Sequence, residues 1–240
     1  MRIAIVTDIH GNLTALEAVL DDLRQTSPDL ILHGGDLADG GSRPAQVVDR
    51  IRDLGWQGVL GNTDETLFRP EALAEYASQS SKNLQPLFSA IEENASATRQ
   101  ALGEERIAWL QTLPRQQIHN SVALVHAGPE SLWRAPEHNA GDAELESVYG
   151  QLGKPLAIYA HIHVPYIRSL SSFTVANAGS VSLSFDGDQR ASYLLLDEST
   201  PVIRRVEYDV DEELKALAQC GLPNSDWIAR TLKEARPQMP

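Results

Sequence analysis

Short apolar runs alternate with helically spaced apolar residues over the first part of the chain. The run IAIV at 3–6 is typical of a buried strand. Leucines at positions 13, 16, 20 and 23 lie on one helical face, which predicts a helix over 13–25. A strand in LILHGGD, a helix over 42–54 and a strand in WQGVLGN follow. This alternation predicts an α/β fold with a parallel sheet and right-handed crossovers.

The pattern changes over 65–114, where apolar residues keep helical spacing and no strand is indicated. Leu84, Leu87, Phe88 and Ile91 fall on one helical face. The strand-like stretch SVALVHAG at 121–128 then returns to the sheet pattern. We therefore interpret the chain as a single domain, 1–240, with a cap of two or three helices inserted at about 65–114.

The rest of the chain predicts further strands and a helical tail. Strand-like patterns occur in PLAIYAHIH, FTVANAGSVS, ASYLLLD and PVIRRVEYD. The turn residues Asp186 and Gly187 predict an antiparallel hairpin near the end of the sheet. Residues from 210 onward are predicted to be helical.

Polar side chains stand where these apolar strands end. Because parallel strands present their carboxyl ends at one edge of a sheet, these side chains are expected to converge there. Within Asp-x-His and His-x-His, two side chains of an extended chain point the same way. Carboxylate and imidazole suit divalent ions such as manganese, iron or zinc, and so many donors suit two ions sharing a bridge. The seven donors are Asp8, His10, Asp36, Asn62, His126, His161 and His163.

Composition limits the partners and the compartment. Twenty basic against 33 acidic residues give a net charge of −13, which disfavours broad nucleic-acid binding. The chain has a single cysteine, Cys220, so an internal disulfide is excluded and a reducing compartment fits. No stretch reaches the ~20 apolar residues of a membrane span. A cytoplasmic protein without membrane partners is therefore expected.

The strand-end residues, taken together, resemble those of the calcineurin-like metallophosphoesterases, in particular the compact phosphodiesterase branch. The matching blocks are Asp8-Ile9-His10, Gly35-Asp36, Gly61-Asn62, His126, Ala160-His161-Ile162-His163 and Asn177-Ala178-Gly179-Ser180. The resemblance implies an α/β sandwich of mixed sheets flanked by helices. It also implies that Asp8, His10 and His163 hold one metal. Asn62, His126 and His161 would hold the other, with Asp36 bridging.

The chain departs from the family pattern at two positions. Ala160 stands where the family usually has a glycine before His-x-His, which is a small change. Thr63 stands where many members carry a histidine that assists the leaving group, with the acidic neighbour, here Asp64, orienting it. The compact branch often lacks that histidine and keeps the acid. Asn62 and Asp64 are therefore the expected catalytic residues.

The resemblance implies hydrolysis of a phosphate ester by a hydroxide that bridges two divalent ions, manganese, iron, zinc or nickel. Without the histidine, leaving groups that need no proton are favoured. The expected substrates are phosphodiesters, nucleotides or dinucleotides. Two alternatives stay open: a non-enzymatic metal-binding scaffold, and a protein phosphatase. The metals, the substrate and any oligomer are not fixed by the sequence.

Several other residues have a structural interpretation in preference to a functional one. His33, His119 and His138 are expected to be structural, although His33 lies close to Asp36 in sequence. Trp133 and Arg134 have the chemistry to stack on a base and pair with a phosphate, but Trp133 equally suits a residue that pins its loop to the cap. The basic residues of the cap are expected to be solvated: Arg69, Lys82, Arg99 and Arg106.

Overall fold

The fold consists of two five-stranded sheets with helices on their outer faces. A computed structural model describes residues 1–198 and 200–240. The strands are β1 Ile3–Val6, β2 Leu30–His33, β3 Gln57–Gly58, β4 Gln116–His119, β5 Val122–Val125, β6 Leu156–Tyr159, β7 Tyr166–Ser169, β8 Thr174–Asn177, β9 Ala191–Asp197 and β10 Thr200–Val206. The α-helices are α1 Leu13–Thr26, α2 Pro44–Asp53, α3 Asn62–Thr66, α4 Glu71–Ser78, α5 Gln85–Leu110, α6 Asp142–Tyr149, α7 Val210–Leu217 and α8 Ser225–Glu234.

Both sheets are mixed. The first has the order β10-β9-β1-β2-β3, and β1, β2 and β3 are parallel, as the sequence predicts. The second has the order β4-β5-β6-β8-β7, with β5, β6 and β8 parallel. The pairings of β9, β10, β4 and β7 are antiparallel. The predicted α/β sandwich of mixed sheets is confirmed.

Alternation along the strands divides the core into layers. In β1, Ile3 and Ile5 pack in the cluster between the two sheets, together with Leu124 and Ile158. Val6, on the opposite face of β1, packs in the cluster beneath α1 and α2. Because successive strand side chains face opposite ways, one short strand contributes to two apolar layers. The sheets thereby pack face to face.

The segment between β3 and β4 is helical and has two roles in packing. α5 is interrupted at Gly103, where φ is 69°. Before that point, Phe88 and Ile91 line a cavity. After it, Leu110 is buried in the same cluster as the α2 residues. None of the helices among the described residues is long and apolar enough to cross a membrane. That the whole chain forms one domain with a cap at about 65–114 stays a prediction.

The structure adds elements that the hydrophobic pattern does not indicate. β4 (QQIH) and β7 (YIRS) are edge strands with half-exposed residues, so they lack a continuous apolar run. α6 was also not predicted. The hairpin prediction for Asp186-Gly187 is wrong in position, because these residues lie in the loop before β9. The antiparallel hairpin is formed further along by β9 and β10.

Candidate metal centre and adjoining cavity

The seven donors from distant parts of the sequence lie together at the edge where the parallel strands end. All except His161, which is partly exposed, are buried. Each follows a strand or, for Asn62, begins the helix α3 that follows β3. The convergence that the sequence predicts is therefore present in the fold, although the backbone route to it differs.

Five of the seven donors project from left-handed backbone and not from the extended chain that the sequence predicts. φ is 53° at Asp8 and 48° at His10, and it is 69° at His161 and 55° at His163. Asp36, at 52°, is in the same region. Both β1 and β6 end before their donor pair begins. Non-glycine residues rarely adopt this conformation, and it concentrates where function requires a particular side-chain direction.

One half of the cluster is formed by Asp8, His10 and His163. His163 Nε2 lies 3.3 Å from His10 Nε2 and 3.4 Å from Asp8 Oδ1. Asp8 Oδ1 is buried and accepts no hydrogen bond from the described residues. With Asp36, these residues offer four ligand atoms that lie within 4.8 Å of one another. A buried carboxylate oxygen without a donor fits a site built for a cation.

The other half is formed by Asn62, His126 and His161. Asn62 Oδ1 lies 2.8 Å from His126 Nε2 and 2.9 Å from His161 Nδ1. Asp36 Oδ2 lies between the two halves, 3.5 Å from His126 Nε2 and 3.7 Å from His10 Nε2. A single carboxylate oxygen thus faces both groups of ligand atoms.

Backbone carbonyls orient three of the imidazoles. His10 Nδ1 lies 2.6 Å from Asp39 O, His126 Nδ1 lies 2.8 Å from Gly34 O, and His163 Nδ1 lies 2.6 Å from Leu183 O. A carbonyl only accepts hydrogen bonds, so each Nδ1 carries the proton. The lone pair of each Nε2 then faces the cluster, which is the arrangement of a metal-ligating histidine.

Burial and the carboxylates set the protonation of the cluster. Burial lowers the pKa of His161 to about 4 and also lowers the pKa of His10, so both rings are neutral at neutral pH. Burial raises the pKa of Asp8, but the interaction of its carboxylate with the neighbouring histidines, His163 foremost, outweighs burial and holds this pKa at about 2. Burial likewise opposes the charged form of His163, and the negative charge of Asp8 overcomes it and raises the pKa. Neutral imidazoles at His10 and His161 and a charged carboxylate at Asp8 are the protonation states that suit cation binding.

Asp64 faces backbone amides. Its Oδ1 accepts from Leu37 N at 2.9 Å and its Oδ2 from Gly61 N at 3.3 Å. Burial, followed by the charge of Asp36, raises the pKa of Asp64 to about 7. The carboxyl group therefore ties the loop after Asp36 to the start of α3. Its predicted catalytic role stays a prediction.

Two glycines allow these loops to meet. A side chain at Gly61 would overlap Asp36 Oδ1, and a side chain at Gly35 would overlap the backbone of Gly61. Thr63 N donates to Asp36 Oδ1 at 2.9 Å, whereas the buried hydroxyl of Thr63 has no partner among the described residues. Because a side chain at position 35 or 61 would overlap the neighbouring loop, only glycine fits in the Gly-Asp and Gly-Asn pairs.

A cavity of about 360 Å³ adjoins the cluster and was not foreseen from the sequence. Its wall comes from α4, α5, the loop after β5 and the segment from α8 to Gln238. Trp133 lines the cavity and also donates through Nε1 to Glu65 Oε2 at 2.8 Å, with its ring 5.2 Å from that of Tyr76. It therefore both pins its loop to α4 and forms part of the cavity wall. The aromatic residues of the lining, apart from histidines, are Tyr76, Phe88, Trp133, Phe185 and Trp227.

The sequence model of the calcineurin-like phosphoesterases matches residues 1–165. The chain belongs to this family. As a member it is an enzyme, a hydrolase of phosphoric esters. The family uses divalent metals, and the buried Asp/His cluster of this chain suits metal binding.

Relatives with known sequences span different shares of the chain. An uncharacterized protein, MJ0912, of Methanocaldococcus jannaschii is 28% identical over 253 residues, 96% of each chain. A symmetrical bis(5'-nucleosyl)-tetraphosphatase of Methylococcus capsulatus is 31% identical over 151 residues, 62% of this chain and 50% of that protein. The phosphodiesterase YfcE of Escherichia coli is 25% identical over 210 residues, 82% of this chain and 88% of YfcE.

Solved structures agree with the fold. A metallophosphoesterase from Sphaerobacter thermophilus has a TM-score of 0.77 at 27% identity, covering 98% of this chain and 99% of that one. The hypothetical protein PH1004 from Pyrococcus horikoshii has a TM-score of 0.84 at 16% identity, with 99% of both chains covered, and this likeness concerns the fold alone.

Proposed function

We propose that the chain is a phosphoesterase whose two divalent ions are held by the seven converging donors. Asp8, His10 and His163 bind one ion, and Asn62, His126 and His161 bind the other. The observation that carries this assignment is the position of Asp36 Oδ2, 3.5 Å from His126 Nε2 and 3.7 Å from His10 Nε2. An oxygen can bridge two cations, whereas an imidazole nitrogen binds one.

Bound at this site, the ions supply Lewis acidity that activates water near neutral pH and offsets negative charge on the phosphate. Asn62, with its amide at the cluster, orients the phosphate group. Asp64 acts as a positioning residue, because its bonds to Leu37 N and Gly61 N fix the loops that carry Asp36 and Asn62. The proposed site residues are thus those that the sequence indicates.

The substrates proposed are small phosphodiesters, nucleotides or dinucleotides. Relatives named as a phosphodiesterase and as a bis(5'-nucleosyl)-tetraphosphatase support this class. The walled cavity beside the cluster favours small molecules over the phosphoproteins of the protein-phosphatase alternative. Manganese remains the first metal to test. A cytoplasmic location stays a prediction from the single cysteine.

Replacing Asp36 with asparagine tests the proposal. Asp36→Asn is expected to lower turnover of bis-p-nitrophenyl phosphate more than about 100-fold and to reduce bound metal together with it. Metal content is measured by mass spectrometry after loading with Mn²⁺, and turnover by release of nitrophenol. Asp53→Asn, at an exposed acid at the end of α2, is the matched control and should change neither quantity.

Two outcomes would contradict the proposal. Full metal occupancy in the wild-type protein without turnover of any phosphate ester would favour the scaffold alternative. Loss of turnover in Asp36→Asn with unchanged metal content would mean that Asp36 does not ligate.

A further inference from the structure

Away from the metal centre, whose Asp36 and histidines form one end of the lining, the wall of the cavity is largely apolar. Phe88 and Ile91 of α5 line it together with Trp227 and Phe185. Among the described residues that line it, none is a lysine or an arginine. Its volume of about 360 Å³ lies within the range of small-molecule sites, roughly 300–1,000 Å³.

Basic side chains near the cavity are engaged elsewhere. Arg69 binds Glu65 and Glu75, and Arg99 donates to the carbonyl groups of Thr66 and Leu67. Neither arginine belongs to the cavity lining. A chain of phosphates entering the cavity would therefore lose its water without meeting a compensating cation from the protein.

Asn94 supplies one polar group to this wall. Its side chain lines the cavity, and the residue is 1% exposed. The backbone N–H of Asn224 donates to Asn94 Oδ1 at 3.0 Å, which identifies that atom as the oxygen. Asn94 Nδ2 donates to none of the described residues, so an N–H group is left for an acceptor on a bound molecule.

A second recess adjoins the cavity and shares aromatic residues with it. Arg134, Glu137 and His138 line this groove, which shares Tyr76, Trp133 and His161 with the cavity. Arg134 stacks over the Tyr76 ring with its guanidinium carbon 5.1 Å from the ring centroid. The groove thus has a cationic side chain, Arg134, which the cavity lacks, and His161 lines both.

We propose that the cavity binds one of the two substituents of a phosphodiester, an uncharged flat ring that bears a hydrogen-bond acceptor. The other substituent lies in the Arg134 groove. This inference rests on the proposed function, because it places the phosphorus atom at the metal centre. An aryl group and a nucleoside base share the required chemistry. In a dinucleoside tetraphosphate that is hydrolysed symmetrically, phosphate groups lie on both sides of the bond that breaks. One of these charged groups would then have to enter the apolar cavity.

Kinetics with three substrates test the inference on the metal-loaded enzyme. They are bis-p-nitrophenyl phosphate, the p-nitrophenyl ester of thymidine 5'-monophosphate, and diadenosine tetraphosphate. Ile91→Arg places a cation in the cavity from a half-buried position on α5. It is expected to lower kcat/KM about tenfold for the two ring esters, since a desolvated apolar contact is lost, and to leave the tetraphosphate unchanged or improved.

Ser89→Arg is the matched control, because Ser89 lies on the exposed face of α5 and outside the lining. It should alter none of the three rates. If Ile91→Arg does not fold, Leu87→Arg, one turn earlier in the same wall, replaces it. A preference for the thymidine ester over the bis-aryl ester identifies the ring as a nucleoside, and the reverse identifies an aryl group.

Binding separates this inference from the proposed function. Diphenyl phosphate is titrated against the metal-loaded protein, and the fluorescence of the lining residues Trp133 and Trp227 reports its entry. The inference is supported if the ligand binds wild-type and Ser89→Arg equally and binds Ile91→Arg about tenfold more weakly. This result supports the inference even if no ester is hydrolysed, whereas the absence of hydrolysis would end the proposed function. The inference would be overturned if Ile91→Arg lowered kcat/KM equally for all three substrates. It would also be overturned if the wild-type enzyme preferred the tetraphosphate and Ile91→Arg reduced that preference.

Discussion

At the scale of single residues, the site depends on side chains held in an uncommon backbone conformation. Asp8, His10 and His163 all have φ near +50°, and their buried polar atoms face one another across less than 4 Å. Left-handed backbone costs a non-glycine residue about 1–2 kcal/mol. The surrounding fold must supply this energy, and buried contacts such as that of Ser180 Oγ with Asp8 O, 2.8 Å long, help to do so.

Thr63 offers a test of the missing leaving-group acid. Its side chain lines the cavity beside Asn62, and its hydroxyl has no partner among the described residues. Thr63→His is expected to raise kcat/KM for esters with poor leaving groups by up to about 100-fold, and to change good leaving groups little, because only the former need a proton. The measurement is a series of aryl phosphodiesters of increasing phenol pKa. An equal effect across the series would exclude this role.

At the scale of elements, Glu65 connects α3 to three other parts of the chain. Its carboxylate is buried and accepts from Trp133 Nε1 at 2.8 Å, Arg69 Nη1 at 3.1 Å and Arg115 Nη2 at 3.3 Å. Trp133 belongs to the loop after β5, whereas Arg115 lies just before β4. A charged residue one turn after Asn62 thereby fixes the position of an aromatic ring in the cavity lining.

Glu65→Gln tests this connection. Loss of the charge is expected to destabilise the fold by about 1–2 kcal/mol, since both arginines are partly exposed and water screens them. It should also raise KM for bis-p-nitrophenyl phosphate a few-fold by loosening Trp133. Urea unfolding and steady-state kinetics measure the two effects. Glu75→Gln, an exposed partner of Arg69, should change stability by less than about 0.5 kcal/mol; a similar loss in both variants would argue against the connection.

Elements with strong periodicity were predictable, and those defined by tertiary contacts were not. α1 carries five buried residues on one face, and β1 is a fully buried apolar run. β4 is polar because it lies at a sheet edge. The seven donors were predictable because each follows an apolar run. The left-handed backbone was not predictable, because it depends on the packing around each residue. The cavity was not predictable either, because it is formed by α5 and the distant Trp227.

At the scale of the whole molecule, the end of the described chain returns to the site. α8 packs with Leu183 in an apolar cluster that also contains Leu217 of α7. Trp227 Nε1 donates to Gln238 O at 2.8 Å, which holds Gln238 against the cavity. The wall therefore depends on packing between the loop before β9, α5 and the last two helices.

The acid stability of the fold depends on His33. Both ring nitrogens are buried without a partner among the described residues, and burial lowers the pKa of His33 to about 3. The unfolded chain, with a histidine pKa near 6.5, binds more protons between these values, so stability falls as pH drops from about 6.5 to 3. His33→Leu is expected to remove up to about 1.4 kcal/mol per pH unit of that slope and to stabilise the fold by about 1 kcal/mol at pH 7.

Urea unfolding of chelator-treated protein at several pH values measures the slope. His138→Leu is the control, because this histidine is exposed and is solvated in both states. An unchanged slope in His33→Leu would mean that a water molecule or a rearrangement satisfies the buried ring.

The left-handed donors also restrict how this site can change by mutation. At φ near +50° a β-branched side chain is strongly strained, whereas glycine and asparagine are tolerated. Drift at positions 8, 10, 36, 161 and 163 is therefore confined to a small set of residues. A descendant that had lost its metals but kept its shape would carry mainly asparagine or glycine there, and a laboratory library limited to those residues would retain the fold while varying the charge of the centre.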